Sequence, residues 1–99
     1  MSTDLDVVEE INTKLKRPCN WAIILHNDNT TSMEFVIELL MQVFHLAIDD
    51  AMTLMMGVHT NGKGVAGIYP YEIAEQKYAD ANMYIKLAAY QMKISLEKE

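Results

Sequence analysis

Two short stretches of this 99-residue chain carry most of the side chains that could do chemistry. The first is the polar run Asn-Asp-Asn at residues 27–29, and the second holds Met55, Val58 and His59 at helical spacing. Amide and carboxylate oxygens and a neutral imidazole nitrogen all accept hydrogen bonds. If the two stretches meet in the fold, acceptors surround an apolar hole. Such a site fits a ligand with one ammonium group beside one large apolar side chain, as at the free N-terminus of a protein.

The same residues also have plainer explanations. Met55 and Val58 lie on the amphipathic stripe of a predicted helix, and most side chains on such stripes belong to the core. A run of Asn and Asp residues is most often a turn. A catalytic or metal site has less support, because the chain has no His-x-x-x-His, paired-cysteine or glycine-rich phosphate motif, and its lone Cys19 has no neighbouring base. We therefore expect a binding protein that is not an enzyme and that needs neither a metal nor a cofactor.

Composition limits the other classes of protein. The 14 Asp+Glu outnumber the 8 Lys+Arg and give a net charge of −6, which repels phosphate backbones, so no nucleic-acid partner is expected. No uncharged run approaches the roughly 20 apolar residues that cross a bilayer, and no basic-then-apolar leader opens the chain, so no membrane partner is expected. A single cysteine cannot form an internal disulfide, which favours the cytoplasm. The 8 methionines suit a surface that accepts several apolar groups.

The candidate residues must be positioned by one small domain. Residues 1–19 are largely polar and contain a break at Pro18, so they are predicted to form a flexible N-terminal extension, with a core domain at 20–99. The apolar run at 21–26 predicts a strand. After the polar loop, Thr31 and Glu34 have the spacing of a capping box and predict a helix whose N-cap is Thr31.

The rest of the chain predicts two more helices and two more strands. Apolar spacing places a second helix between a cap at Asp49 and a left-handed glycine at Gly62, so that the first two helices form a hairpin. Residues 63–69 suit a short irregular strand, and Pro70 suits the first position of a third helix. Apolar and polar residues alternate from 90 to 96, as in a half-buried strand. The β-α-α-β-α-β order predicts an α+β fold, with three helices covering one face of a three-stranded antiparallel sheet.

Four ordered blocks of sequence carry a resemblance to a known family. They are His26–Val36 (HNDNTTSMEFV), Met55–His59 (MMGVH), Gly62–Gly64 (GKG) and Glu72–Lys77 (EIAEQK). Together they are similar to the ClpS adaptor family of the bacterial and plastid Clp protease, over about residues 20–97. Any one block alone is weak, but the combination in this order is specific, and it implies a ClpS-like fold.

The resemblance implies an adaptor for proteolysis. Such a protein binds the N-terminal Leu, Phe, Tyr or Trp of an N-degron substrate and delivers it to the N-terminal domain of a ClpA- or ClpC-type AAA+ unfoldase. The expected location is the cytoplasm, or the plastid stroma in a photosynthetic eukaryote. An alternative within the same family is a ClpS-like regulator, which occupies the unfoldase and inhibits other substrates without delivering N-degrons.

Carried over residue by residue, the resemblance assigns a role to each candidate. It assigns the substrate's α-amino group to Asn27, Asp28 and His59. It assigns the contacts with the unfoldase to Glu72, Glu75 and Lys77. The hydrophobic pocket, in which Met33 is the gatekeeper against β-branched first residues, is assigned to Asn29, Thr31, Ser32, Met33, Met55, Val58 and Met92.

The chain departs from the family pattern at three of these positions. Asn29 replaces an aspartate and removes one negative charge from the loop. Ser32 replaces a proline, and Met92 stands at a leucine-like position of the final strand. We expect these changes to alter the preference among first residues more than the role of the protein.

Overall fold

A computed structural model describes residues 20–99, and the predicted extension at 1–19 lies outside the described residues. Within that range the predicted order of strands and helices is confirmed. No helix there has the length and apolarity needed to cross a membrane. The elements, in chain order, are β1 (Asn20–His26), α1 (Met33–Gln42), α2 (Ile48–Asn61), β2 (Lys63–Pro70), α3 (Tyr71–Leu87) and β3 (Ile94–Lys98).

The sheet has the order β2-β1-β3, and both neighbours run antiparallel to β1. The continuous apolar run of β1 lies in the central strand, where residues 22–25 are all buried. Ile23 pairs with Gly67 and Ile24 pairs with Val65, so Ala66 is an extra residue in a bulge of β2. The bulge turns the Ala66 side chain into the core, where it is buried.

One core joins the sheet to all three helices. Ile23 and Leu25, which point to the same face of β1, belong to this core, whereas the intervening Ile24 does not. The helices therefore pack on one face of the sheet, and the predicted α+β class is confirmed. The core consists of Ile23, Leu25, Phe35, Val36, Leu39, Leu40, Val43, Phe44, Ala51, Met55, Val58, Ala66, Ala81, Ile85, Met92 and Ile94.

Helix α1 begins one residue later than the capping box predicts. Its N-cap is Ser32, whose Oγ accepts a hydrogen bond of 3.1 Å from the backbone N–H of Phe35. The Thr31 hydroxyl instead donates to the Asp28 carboxylate at 2.6 Å. The prediction of Thr31 as N-cap is wrong, because a charged acceptor nearby in sequence binds its hydroxyl.

The ends of the other helices follow the sequence pattern to within about two residues. Helix α2 ends at Asn61, and its C-cap Gly62 has the predicted left-handed conformation with φ of 91°. It begins after Ala47, without a side-chain cap, so the prediction of Asp49 as its cap is wrong. Asp49 lies in the first turn, where a carboxylate is favourable to the helix dipole. Pro70 ends β2 and is the N-cap of α3 rather than its first residue.

Strand β3 starts at Ile94, later than the alternation predicts. Its partner β1 ends at His26, whose backbone N–H donates to the Lys93 carbonyl at 3.0 Å. Residues 90–92 extend past the end of β1 and therefore lie outside the ladder. Their alternation persists in burial, because Tyr90 is half-buried, Gln91 is exposed and Met92 is buried.

The C-terminus of α3 predicts a stabilising substitution. The Ala89 N–H donates to Lys86 O and the Tyr90 N–H to Ile85 O, which places Ala89 at the left-handed position of a Schellman motif, with φ of 64°. Alanine is strained there because of its Cβ, and glycine is not. We expect Ala89→Gly to raise the free energy of unfolding by about 0.5–1 kcal/mol in urea denaturation.

The neighbouring residue is the matched control for this change. Ala88 has φ of −84° in the right-handed region, so Ala88→Gly adds flexibility without relieving strain and should lower stability. A loss of stability in Ala89→Gly equal to that in Ala88→Gly would contradict the assignment of strain to Ala89.

Candidate functional site

An open cavity of about 140 Å³ lies where the loop after β1, the N-terminus of α1, the C-terminal half of α2 and the segment before β3 meet. The two stretches that the sequence singled out are therefore neighbours in space. One half of the lining is apolar and the other half is polar. The lining residues are Asn27, Asp28, Asn29, Thr31, Met33, Val36, Met55, Val58, His59 and Met92.

The apolar half forms the interior of the cavity. Val36, Met55, Val58 and Met92 are all buried, whereas Met33 is 44% exposed and stands nearer to solvent. An apolar cavity of roughly 150 Å³ holds one benzene molecule. By that measure the cavity, at about 140 Å³, has room for one aromatic or branched aliphatic side chain, but not for two side chains.

The polar loop is held by backbone hydrogen bonds at the end of β1. The Asn27 N–H donates to the Gly62 carbonyl at 2.8 Å, and the preceding His26 N–H donates to Lys93 O at 3.0 Å. The first bond ties the loop to the end of α2, and the second ties β1 to the segment that carries Met92. The loop therefore faces the apolar interior from a fixed position, although it lies outside regular secondary structure.

Asp28 supplies the negative charge of the cavity wall. Its Oδ2 accepts hydrogen bonds from the Thr31 hydroxyl at 2.6 Å and from the Thr30 hydroxyl at 2.7 Å. These two bonds, with Thr31 the larger influence, lower the pKa of Asp28 below its ordinary value, and slight desolvation opposes them. Both hydroxyls bind Oδ2, so Oδ1 carries neither of them. Asp28 therefore presents a carboxylate, not a carboxylic acid, at neutral pH.

Further polar side chains stand beside this carboxylate. Asn27, Asn29 and His59 are exposed and line the same cavity. An amide oxygen and a neutral imidazole nitrogen can each accept a hydrogen bond from an ammonium group, which has hydrogens to donate in several directions. The arrangement can thus hold a cationic amine at the polar wall while an attached apolar group enters the interior.

The structure separates one predicted pocket residue from the others and adds one that the sequence missed. Ser32 does not line the cavity, because its Oγ caps α1 and accepts a further bond of 3.2 Å from the Tyr90 hydroxyl. Val36 lines the cavity, although it is not among the pocket residues that the sequence predicts. Core and cavity-wall residues share the same helical spacing, so periodicity gives no signal that distinguishes them.

The residues predicted to contact an unfoldase lie on α3 in different surroundings. Glu72 is exposed, and Glu75 is exposed and accepts a hydrogen bond of 3.2 Å from a tyrosine hydroxyl. Lys77 is half-buried, donates to the Val43 carbonyl at 2.8 Å and lies 5.9 Å from the centre of the Tyr69 ring. Val43 is the C-cap of α1, so Lys77 places a positive charge at the negative end of that helix.

Comparisons with known proteins agree with this fold. Residues 16–95 match the family described as ATP-dependent Clp protease adaptor protein ClpS. The ATP-dependent Clp protease adapter protein ClpS of Myxococcus xanthus is 42% identical over 86 residues, which cover 87% of this chain and 80% of the relative. The protein of the same name from Acetivibrio thermocellus is 46% identical over 79 residues, which cover 80% of each chain.

A solved structure is similar as well. Agrobacterium tumefaciens ClpS2 bound to L-phenylalaninamide superposes with a TM-score of 0.80 at 32% identity, and the match covers 84% of this chain and 100% of that chain. The family match spans well over half of the chain, and relatives above 30% identity cover most of it. The chain therefore belongs to the ClpS family, and it is a Clp protease adaptor rather than an enzyme.

Proposed function

We propose that the cavity binds the first residue of N-degron substrates, when that residue is Leu, Phe, Tyr or Trp and its α-amino group is free. The adaptor then delivers the bound substrate to a ClpA- or ClpC-type AAA+ unfoldase, in the cytoplasm or the plastid stroma. The observation that carries the proposal is the composition of the cavity wall. It combines a buried apolar interior with the Asp28 carboxylate and the polar side chains of Asn27, Asn29 and His59.

The polar wall accounts for the requirement of a free amino group. An α-ammonium can donate to Asn27, Asp28 and His59 together, and the bond to the Asp28 carboxylate is charge-assisted. Acetylation removes the charge and leaves a single N–H to donate. A substrate with a blocked N-terminus therefore loses most of the polar contacts while keeping the same side chain.

The apolar interior of the cavity accounts for the preference for a large apolar side chain at the first residue of the substrate. Burial of a Leu or aromatic side chain contributes about 1.5–3 kcal/mol. Met33 at the solvent side has three rotatable bonds and adapts to Leu or to a flat ring, but a side chain branched at Cβ cannot turn past it. The similar Agrobacterium ClpS2 was solved with L-phenylalaninamide, an amine with a benzyl side chain and no free carboxylate, which has the chemistry of a chain's first residue.

For delivery, the proposed contacts are Glu72, Glu75 and Lys77. The carboxylates of Glu72 and Glu75 lie in solvent on neighbouring turns of α3, where a partner domain can reach them. The Lys77 side chain already donates a hydrogen bond to the Val43 carbonyl. It therefore holds α3 against α1, in addition to its proposed contact with the unfoldase.

The test of the proposed function is fluorescence anisotropy with labelled peptides that differ only at the first residue. We expect micromolar dissociation constants for Leu, Phe, Tyr and Trp. Val should bind about tenfold more weakly, because it fills less of the cavity and is branched at Cβ. Acetyl-Leu should bind about 100-fold more weakly or not at all, since charge-assisted hydrogen bonds are lost. Equal binding of Leu and acetyl-Leu peptides would contradict the proposal.

Degradation of reporter proteins that begin with these first residues distinguishes delivery to the unfoldase from mere occupation of the unfoldase. With a ClpA- or ClpC-type unfoldase and its peptidase, the full chain should accelerate degradation of a Leu-initiated reporter and leave a Val-initiated reporter stable. Inhibition of other substrates without faster degradation of the Leu reporter would instead identify the regulator that the sequence left open.

A further inference from the structure

Two apolar stripes run away from the cavity on the outer sides of α1 and α2. In each stripe the residues are spaced four apart, so they lie along one side of their helix. Ile37 and Met41 on α1 are partly buried against the core, whereas all three residues on α2 are exposed. The stripes are Met33, Ile37 and Met41 on α1, and Ile48, Met52 and Met56 on α2.

The stripe on α1 starts at the cavity, which Met33 lines, and the stripe on α2 ends one turn before His59, which lines the cavity too. Met33, at the start of α1, and His59, near the end of α2, line the same cavity, so the two helices run in opposite directions past it. Met52 and His59 are seven residues apart, which is about 20° around the helix axis, so they lie on the same side of α2. Each stripe therefore lies on the same side of its helix as a residue of the cavity wall. We name these six residues the methionine crease.

The exposure of the crease has no explanation within the domain. Among the ten large apolar side chains that are exposed in residues 20–99, four belong to it, and on α2 they are 47–54% exposed. When exposed apolar residues form one surface, that surface is typical of a binding site. Methionine adapts its shape to varied apolar partners, so such a surface fits chains of differing sequence.

We infer that the methionine crease binds the apolar residues that follow the first residue of a substrate. The inference rests on the proposed function, because it requires that the first side chain fills the cavity. The cavity holds one side chain, so the remainder of the substrate leaves through the mouth, where the crease begins. From Ile48 to His59 the helix rises about 16 Å, which matches an extended peptide of about five residues. This continuity with the cavity favours a substrate chain over a second copy of the protein.

The experiment compares three ligands on the full chain by competition anisotropy. They are L-phenylalaninamide, a Phe-initiated peptide whose residues 2–5 are Ser and Gly, and one whose residues 2–5 are Leu and Val. We expect the apolar peptide to bind the unchanged protein about tenfold more tightly than the polar peptide. The double variant M52Q/M56Q should abolish that difference, because glutamine keeps the length and the helix propensity but removes the apolar surface.

Controls separate this inference from the proposed function. Met83 is 63% exposed on α3, away from the crease, and M83Q should keep the tenfold difference. If phenylalaninamide fails to bind the unchanged protein, the proposed function itself is wrong. If it binds while the two peptides bind equally, or while M52Q/M56Q retains the difference, the crease does not bind substrate. A dimer in light scattering that M52Q/M56Q dissociates would assign the crease to a second copy and overturn the inference.

Discussion

Asp28→Asn is expected to weaken the binding of a Leu-initiated peptide by about 10- to 100-fold. The substitution keeps the size of the side chain and an oxygen that can accept from the Thr30 and Thr31 hydroxyls. It removes the charge, and with it the charge-assisted hydrogen bond to the substrate's ammonium group. Anisotropy with the labelled peptide measures the change, and unchanged urea denaturation would show that the fold is intact.

An acetylated peptide is the control for the role of Asp28. Because acetyl-Leu carries no ammonium group, its residual binding should be the same in the Asp28→Asn variant and in the unchanged protein. An equal loss of affinity for both peptides would mean that Asp28 acts by holding the loop, through its threonine contacts, and not by binding the amine.

The pH dependence of peptide binding follows from the same group. The threonine hydroxyls lower the pKa of Asp28 from its ordinary 3.8, so the carboxylate stays charged, and its hydrogen bond to the ammonium group persists, until the pH falls through that lowered value. On the alkaline side, binding should decrease above pH ~8, where the peptide's α-amino group loses its proton. Thr31→Val removes the hydrogen bond that lowers the pKa of Asp28 most, so the Asp28 contribution to binding should be lost at a higher pH than in the unchanged protein.

Met55→Ala is expected to change both stability and the preference for the first residue. Met55 is 7% exposed, belongs to the core and lines the cavity. Truncating a buried methionine to alanine costs 2–5 kcal/mol, and we expect about 2 kcal/mol here, because one side of Met55 already faces open space. Urea denaturation measures this loss.

The same truncation enlarges the interior of the cavity. A Trp-initiated peptide should then gain relative to a Leu-initiated one, by about threefold or more in the ratio of dissociation constants, because the larger ring fills the added space. Met83→Ala, on the exposed side of α3, should change neither the stability by more than about 0.5 kcal/mol nor the ratio. An unchanged Trp to Leu ratio in Met55→Ala would show that Met55 does not limit the depth of the site.

Local features of the fold follow directly from the sequence. These features are the helical spacing of apolar residues, the alternation before β3 and the glycine at position 62. Each depends on residues close together in the chain, so one short segment is enough to predict it. The errors at helix starts have an equally local cause. Thr31 and Ser32 can both cap α1, and the choice between them depends on Asp28, which binds the Thr31 hydroxyl.

Long-range features needed the tertiary structure. The bulge at Ala66 and the late start of β3 are set by pairing with β1, a partner far away in sequence. The bond from Lys77 to the end of α1 joins residues 34 positions apart, and the helix pattern around Lys77 predicts only a solvated face.

The amino-acid sequence by itself determined which chemical groups the site contains: one carboxylate, a few uncharged acceptors and adaptable apolar side chains. Only the tertiary structure decided which of them share a cavity, so that Val36 joins the wall while Ser32 caps a helix instead. The physical reason is that helical periodicity fixes the face on which a side chain lies but not whether that face meets another surface or a gap. The packing of α1 against α2 leaves the cavity where the start of α1 meets the end of α2.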